Sequence, residues 1–171
     1  IQINGKRYNY HMEYTLQFRS KINTDEKWIV DIATRFWGST EIISREHTYD
    51  ILTLPNSIAE LDGKPVGFVM YAKEGTKCEI VALYTALENQ GIGTKLLDRV
   101  KDQAKRDGCT KVWLMMTNDN TQALRFYQKR GFVITAIRTN VMKEQRKLKP
   151  IPLLGNDGIE IRDEIELATY V

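Results

Sequence analysis

The sequence predicts an α/β (α+β) fold, a mixed and mostly antiparallel twisted sheet of about seven strands flanked by helices. Three observations carry that prediction. Ile58 to Leu61 and Val66 to Ala72 are apolar runs on either side of Asp62-Gly63, and Asp-Gly between such runs signals a two-residue hairpin because both turn positions need positive φ. A helical pattern from about Gly91 to Arg106, with Leu96, Leu97, Val100 and Ala104 on one side, leads into the apolar run Lys111 to Thr117, the arrangement of a crossover unit. Strands otherwise come in a run of three before that unit and a pair after it, so the predicted order is β-α-β-β-β-α-β-α-β-β with two right-handed crossovers.

Each element has its own justification. Tyr14, Leu16 and Phe18 alternate with Thr15, Gln17 and Arg19, the period of a half-buried strand. A helix follows, capped by Asn23 or Thr24, with Asp25 and Glu26 suited to its positive end; Trp28, Ile29, Ile32, Ala33 and Phe36 form its apolar stripe and Gly38 ends it. Glu41 to Leu54 reads equally as strand or as irregular structure, and Pro55-Asn56-Ser57 punctuates it. After the Asp62-Gly63 hairpin, Glu74-Gly75-Thr76 turns the chain into a third strand, Cys78 to Tyr84. Gly108 terminates the long helix. Lys111 to Thr117 is apolar almost throughout, as in a strand covered on both faces. Asn118 to Asn120 caps a short helix carrying Ala123, Phe126 and Tyr127, and Phe132 to Ile137 and Glu164 to Thr169 close the sheet. Lys147 to Gly158 is the linker-like stretch, and the chain reads as a single domain over residues 1–171.

Composition excludes several classes of function. With 171 residues, the core is large enough to need no staples. Lys+Arg 25 against Asp+Glu 22 leaves a net charge of +3 with the signs intermixed, so no dominant field points to nucleic acid; the short basic run Lys143 to Lys149 reads as an exposed face. The longest apolar stretches fall far short of the roughly 20 residues of a membrane helix. Ile1 to Tyr10 lacks the apolar core of a secretory signal, so a cytoplasmic protein is expected, with neither nucleic acid nor membrane as partner. Cys78 and Cys109 lack metal-ligand or disulfide-framework spacing and read as buried small hydrophobes. His47, without a spaced carboxylate or second histidine, reads as a surface residue, and no metal site is expected.

Two stretches carry chemistry. Glu88-Asn89-Gln90-Gly91-Ile92-Gly93-Thr94 joins an apolar strand to a long helix. Glycines there let the backbone approach a ligand, and the unpaired N–H groups with the positive helix end favour an anion by roughly 0.3 to 1 kcal/mol per charge when exposed. A P-loop needs Gly-Lys-Ser/Thr where this chain has Gly93-Thr94-Lys95, and a dinucleotide fingerprint needs a third glycine where Leu96 stands. The second stretch, Asn118 to Phe132, places a capping Asn, a small Ala and the pair Phe126-Tyr127 on a short helix ending at Gly131.

Together these residues resemble the GCN5-related N-acetyltransferase (GNAT) family. Its acetyl-CoA signature, Arg/Gln-x-x-Gly-x-Gly/Ala after the fourth strand, is matched by Glu88 to Gly93 in everything but the first residue, and its Asn-x-x-Ala-x-x-Phe-Tyr-x-x-x-Gly-Phe stretch is matched by Asn120 to Phe132. The resemblance implies a GNAT-like sheet splayed between the fourth and fifth strands, with a cofactor-binding core at about 57–137 and acceptor-side elements at about 24–54 and 148–171. It implies acetyl-CoA (coenzyme A) as cofactor: backbone groups of Leu83 and Thr85 would bind the pantetheine arm, Gln90, Gly91, Ile92, Gly93, Thr94 and Lys95 would surround the pyrophosphate, and Asn120 would bind the pantetheine side or steady a tyrosine. Arg125 and Lys129 would reach phosphates or face water.

Tyr127 would then be the general acid and Glu79 the leading general base, the alternatives being Glu160, Asp163 and Glu164. Alternation places Glu79 with Val81 and Leu83 on one face. Deprotonating an alkylammonium of pKa near 10.4 at pH 7 costs roughly 4.6 kcal/mol, whereas a thiol of pKa about 8.5 leaves with only a hydrogen bond from a hydroxyl. The expected reaction is direct attack by the amine of a small molecule or peptide on the thioester, a backbone N–H near Leu83 facing the developing oxyanion. Trp37 and Arg45 fall in the acceptor-side region as candidate substrate-binding residues, although a tryptophan ending an amphipathic helix is more often core. A non-catalytic acyl-CoA-binding or regulatory module is the alternative reading, and a homodimer is left open.

Glu88 departs from the family pattern, since a carboxylate aimed at a diphosphate repels it. With its side chain turned outward and only its backbone in use, Glu88→Gln is expected to leave coenzyme A affinity unchanged or improved; a clear loss of affinity by calorimetry refutes this.

Overall fold

The computed structural model describes residues 15–45 and 47–171. Tyr14 of the predicted first strand and the segment Ile1 to Tyr10 lie outside the described residues.

The N-terminal half runs β1 (Leu16–Arg19), α1 (Glu26–Trp37), a hairpin of β2 (Glu41–Ser44) and β3 (His47–Asp50), then β4 (Asn56–Leu61), β5 (Lys64–Glu74) and β6 (Lys77–Thr85). The C-terminal half runs α2 (Ile92–Arg106), β7 (Lys111–Thr117), α3 (Thr121–Gln128), β8 (Val133–Arg138), α4 (Val141–Gln145) and β9 (Glu164–Tyr170). Seven strands form one sheet in the order β1-β4-β5-β6-β7-β9-β8, in which β6 and β7 are parallel and the other neighbours antiparallel. The β2–β3 hairpin is a separate two-stranded sheet, where the sequence left strand and irregular structure undecided.

Local chemistry explains the turns. Asp62 (φ 49°) and Gly63 (φ 78°) both adopt left-handed conformations, as a two-residue hairpin with right-handed twist requires. Gly38 (φ 83°) closes α1, its N–H reaching the Thr34 carbonyl at 3.1 Å. The start of α1 differs from expectation. Asn23 and Thr24 do not cap it; a 3₁₀ turn over Asn23–Asp25 precedes it, and the Asp25 carboxylate accepts from the Ile22 N–H at 2.9 Å and from Arg19 at 2.6 and 3.0 Å. The Arg19 guanidinium holds the Asp25 carboxyl below its ordinary value against the opposing effect of burial. Phe36, counted in the apolar stripe, is exposed and leans on Tyr84, ring centroids 5.4 Å apart.

Two apolar clusters sandwich the sheet. On one face α2 and α3 bury Ile92, Leu96, Leu97, Val100 and Tyr127 against Ile80, Val112, Leu114 and Leu167. On the other, α1 buries Ile29 and Ala33 against Ile58, Phe68, Met70 and Ala82. The second face is not uniformly covered: Trp113 and Met115 alternate away from the α2 side of β7, and the helix α1 stops short of that half. The returning chain between α4 and β9 is strapped to the end of β7. Asn118 Oδ1 accepts from the N–H groups of Arg162 (2.9 Å) and Asp163 (2.8 Å), and Asp119 Oδ2 accepts from the Asn156 N–H at 2.9 Å.

Gly67 on β5 tests how tightly these layers meet. A Cβ there would stand 2.9 Å from the Tyr84 carbonyl oxygen and 3.3 Å from Ile92 and Leu96 side-chain carbons. Backbone cannot rotate away as a side chain can, so Gly67→Ala is expected to cost about 1–3 kcal/mol. A thermal melt should show a drop of several degrees, at about 2–4 °C per kcal/mol for a chain of this size; an unchanged midpoint refutes the crowding.

Candidate active site

The site begins where a backbone ladder stops. β6 and β7 pair only at Lys77↔Lys111, Cys78↔Val112 and Glu79↔Trp113, although both strands continue. From Ile80 and Leu114 onward the facing main-chain groups have no partner across the gap, and such groups must be satisfied by water or by a ligand. Extended chain on both walls makes the gap suited to a slender, amide-bearing ligand.

At the open end of the gap stands the glycine turn. Gly91 (φ 74°) is the N-cap of α2 and Asn89 (φ 59°) precedes it in the same left-handed region. The first intrahelical bond is Lys95 N–H to Gly91 O at 3.0 Å, which leaves the N–H groups of Ile92, Gly93 and Thr94 pointing out of the helix end. No side chain caps them and the first turn carries no acidic residue. Ile92 is buried in the core, so its backbone alone is available there. Gln90 and Lys95 are exposed at the mouth, as is Glu88. Leu83 and Thr85 lie on the β6 wall, opposite Val69 and Gly67 of β5.

Helix α3 forms the other side of the mouth. Asn120 caps it, Oδ1 accepting from the Ala123 N–H at 3.1 Å, so its amide N–H₂ and the second lone pair of Oδ1 stay available to a ligand. Gly93 is small because Phe126 is close: a Cβ at Gly93 would sit 3.2 Å from that ring. Arg130 covers the other side of Phe126, its guanidinium carbon 3.7 Å from the ring centre, and donates to Thr94 Oγ1 at 2.8 Å and to the Phe126 carbonyl at 2.8 Å. Arg125 and Lys129, the cations singled out from sequence, are exposed. Arg130 beside the α2 start was missed, although its place immediately before the helix-ending Gly131 offered a signal. Tyr127 is 7% exposed, packed edge-on to Phe126 and Phe132. Burial pushes its phenol well above the ordinary value, and among the described residues its hydroxyl has no hydrogen-bond partner. It is a neutral donor at physiological pH.

Glu79 sits where the ladder ends. It is 4% exposed and is held by the hairpin: Ser44 Oγ donates to Oε1 and Tyr49 Oη donates to Oε2 at 3.0 Å. Burial pushes its carboxyl up, and the Ser44 and Tyr49 hydrogen bonds and nearby Arg45 only partly oppose this. The expectation that Glu79, Val81 and Leu83 share one face is corrected. Met70 pairs Ala82 whereas Tyr71 pairs Ile80, so Val81 is an extra residue, and a bulge reverses the alternation beyond it. Cys78, Ile80 and Leu83 face α2, while Val81, Ala82 and Tyr84 face α1. Glu79 lies with the hairpin on the α1 side.

On that same side a cavity of about 550 Å³ opens over β7, β9 and β8, with Arg45, Trp113, Arg138 and Glu164 among its walls. Arg45, in the β2–β3 turn with φ 52°, stacks its guanidinium 4.3 Å above the Trp113 ring and pairs with buried Glu166. Burial pushes the Glu166 carboxyl up, but the donors Arg45, Thr135 and Lys111 outweigh it and hold the group below its ordinary value. Because Trp113 is the register partner of Glu79, this cavity adjoins the inner end of the gap. Trp37 is not part of its wall: the ring packs against Phe68, centroids 6.1 Å apart, in the α1 cluster. Glu164 lines the cavity, whereas Glu160 is exposed and Asp163 is engaged by Arg162 at 2.8 Å.

Comparison with known proteins agrees with this geometry. The model of the Acetyltransferase (GNAT) family matches residues 17–132. Two Bacillus subtilis proteins are similar: YdhI, 38% identical over 139 residues covering 80% of this chain and 87% of that one, and YxbD, 37% identical over 135 residues covering 78% and 85%. A GNAT family acetyltransferase from Elizabethkingia anophelis, solved with acetyl-CoA bound, superposes with a TM-score of 0.70 at 26% identity, covering 91% of this chain and 98% of that structure.

The raised carboxyl of Glu79 has a consequence for stability. The native state holds its proton more tightly than the unfolded chain does, so this group's contribution falls as pH rises from the ordinary carboxylate range through its native value. Glu79→Gln lacks that slope. Denaturant melts from about pH 4 to 7 should show the variant gaining stability relative to the parent with rising pH; parallel curves would mean the carboxyl is not raised.

Proposed function

Because this chain belongs to the GNAT acetyltransferase family, we propose that it is an acetyl-CoA-dependent N-acetyltransferase acting on an amine of a small molecule or peptide. The observation that carries this reading is the interrupted β6–β7 ladder, which leaves a ligand-sized gap with a proton acceptor, Glu79, on the α1 side and a proton donor, Tyr127, on the α2–α3 side. The residues present fit the cofactor: unpaired N–H groups at Ile92, Gly93 and Thr94 suit a diphosphate, the facing edges of β6 and β7 suit the amides of a pantetheine arm, and the Tyr127 hydroxyl has no competing partner. Acetyl-CoA supplies an activated thioester.

The chain's own residues do the rest. The α2 N-terminus and the unpaired β6 backbone hold the donor in line, which turns a bimolecular encounter into a positioned one. Backbone N–H groups of the β6 wall near Leu83 would be the donors for the negative charge of a developing oxyanion. Glu79, destabilised as an anion by burial, takes a proton from the ammonium, directly or through water, with Ser44 and Tyr49 fixing the carboxylate orientation. The Tyr127 hydroxyl would supply a hydrogen bond to a leaving thiolate, sufficient for a thiol of ordinary acidity.

The test is release of coenzyme A thiol from acetyl-CoA in the presence of a panel of amines, with coenzyme A affinity measured separately by calorimetry. Tyr127→Phe is expected to lower kcat on the order of 10²-fold with affinity retained. Near-normal turnover in the variant removes the acid assignment. Tight binding by the parent protein without thiol release above background would establish the non-catalytic acyl-CoA-binding module instead.

A further inference from the structure

The cavity beside Glu79 is lined by charges that are unequally satisfied. The buried carboxylates on and behind its wall are engaged: Glu166, reached by Arg45 of the wall, also takes Thr135 at 2.9 Å and Lys111 at 3.3 Å, and Glu164 accepts from Gln145 at 2.7 Å, while the exposed Glu74 at its edge stands 3.9 Å from His47. At Glu166 and Glu164 a polycationic acceptor would have to displace these internal donors. Arg138 is in the opposite condition. Its nearest carboxylate oxygen, on Glu164, is 3.9 Å away, beyond hydrogen-bond reach, and its side chain is 36% exposed. Among the described residues its guanidinium donates no hydrogen bond. Five donors in a rigid plane, half-shielded and unfilled on a cavity wall, match a carboxylate in two parallel bonds.

The position of Arg138 sets where that carboxylate lies. It is on β8, opposite Glu164 of β9, and β9 separates it from β7 at the gap edge. Arg138 and Glu164 are level with Thr117, four residues along β7 from Trp113, the register partner of Glu79; two strand spacings across, about 10 Å, and four residues along, about 13 Å, hold the anionic end of the acceptor well away from Glu79. A volume of about 550 Å³ is in the range of small-molecule sites. We propose that the acceptor is a small primary amine bearing a carboxylate at its far end, and that Arg138 is the residue that selects it. This rests on reading the cavity as the acceptor site of the acetyltransferase proposed above.

The experiment uses a matched pair, 6-aminohexanoate and its neutral isostere 6-aminohexanamide, with 1,5-diaminopentane as the dicationic control. Binding is measured by calorimetry to the protein saturated with coenzyme A, so the readout does not depend on turnover. The carboxylate is expected to bind at least tenfold more tightly than the amide, Arg138→Gln to abolish that preference, and Arg138→Lys to restore part of it, with coenzyme A affinity and the thermal midpoint unchanged in both variants. Equal binding of acid and amide, tighter binding of the diamine, a preference that survives Arg138→Gln, or no binding of any of the three overturns the proposal. Failure of thiol release with every amine, by contrast, bears on the acetyltransferase reading and leaves the binding preference to be judged on its own.

Discussion

The site depends on an incomplete ladder. A parallel strand pair that continued past Glu79 and Trp113 would satisfy every main-chain group on both edges and leave nothing for a ligand to bind. Here the pairing stops early, yet the strands do not, because each has a different neighbour on its far side: β6 remains zipped to β5 as far as Thr85, and β7 remains zipped to β9 as far as Thr117. The two halves of the sheet are thus each rigid while their junction is open. Exposed main-chain polar groups are normally a liability; in a recess flanked by helices they become directional recognition groups.

Around that opening the chemistry is divided between the two faces by the helices that cover them. The α2–α3 face is apolar and dry, which keeps the phenol of Tyr127 protonated. The opposite face beyond α1 is lined with carboxylates, and the β2–β3 hairpin covers its inner end. That hairpin does two jobs at once. Ser44 and Tyr49 clasp Glu79 of the N-terminal half, and the next residue in the turn, Arg45, reaches across Trp113 to Glu166 of the C-terminal half. An exposed Arg–carboxylate pair contributes little, but Glu166 is deeply buried, so losing Arg45 would leave an anion poorly compensated.

Much of this was readable in the sequence where local chemistry decides the outcome. Asp62-Gly63, Gly38 and the Gly91 turn need particular backbone conformations, and the helix stripes and the β7 run follow from periodicity; these appear as expected apart from Phe36, which the α1 stripe included and which is exposed. What could not be read depends on tertiary partners. The hairpin β2–β3 has a weak intrinsic pattern and is held by contacts to Glu79 and Glu166, residues distant in sequence. The short α4 lies in a charged stretch that gives no amphipathic signal. Trp37 could be core or pocket on composition alone, and only the position of Phe68 decides it. Arg130 and Arg138 look like surface cations in the sequence, since what sets them apart is the neighbour each one has or lacks.

The extra residue in β6 acts on the main chain rather than on which side chains are buried. Because Val81 offsets the strand by one position, the carboxylate at Glu79 and the wall at Leu83 obey opposite parities, as if two reading frames met within a single strand. Removing Val81 would leave plain alternation with Ile80 and Leu83 still toward α2 and Ala82 and Tyr84 still toward α1, so what the insertion adds is local twist, immediately past the last residue paired with β7.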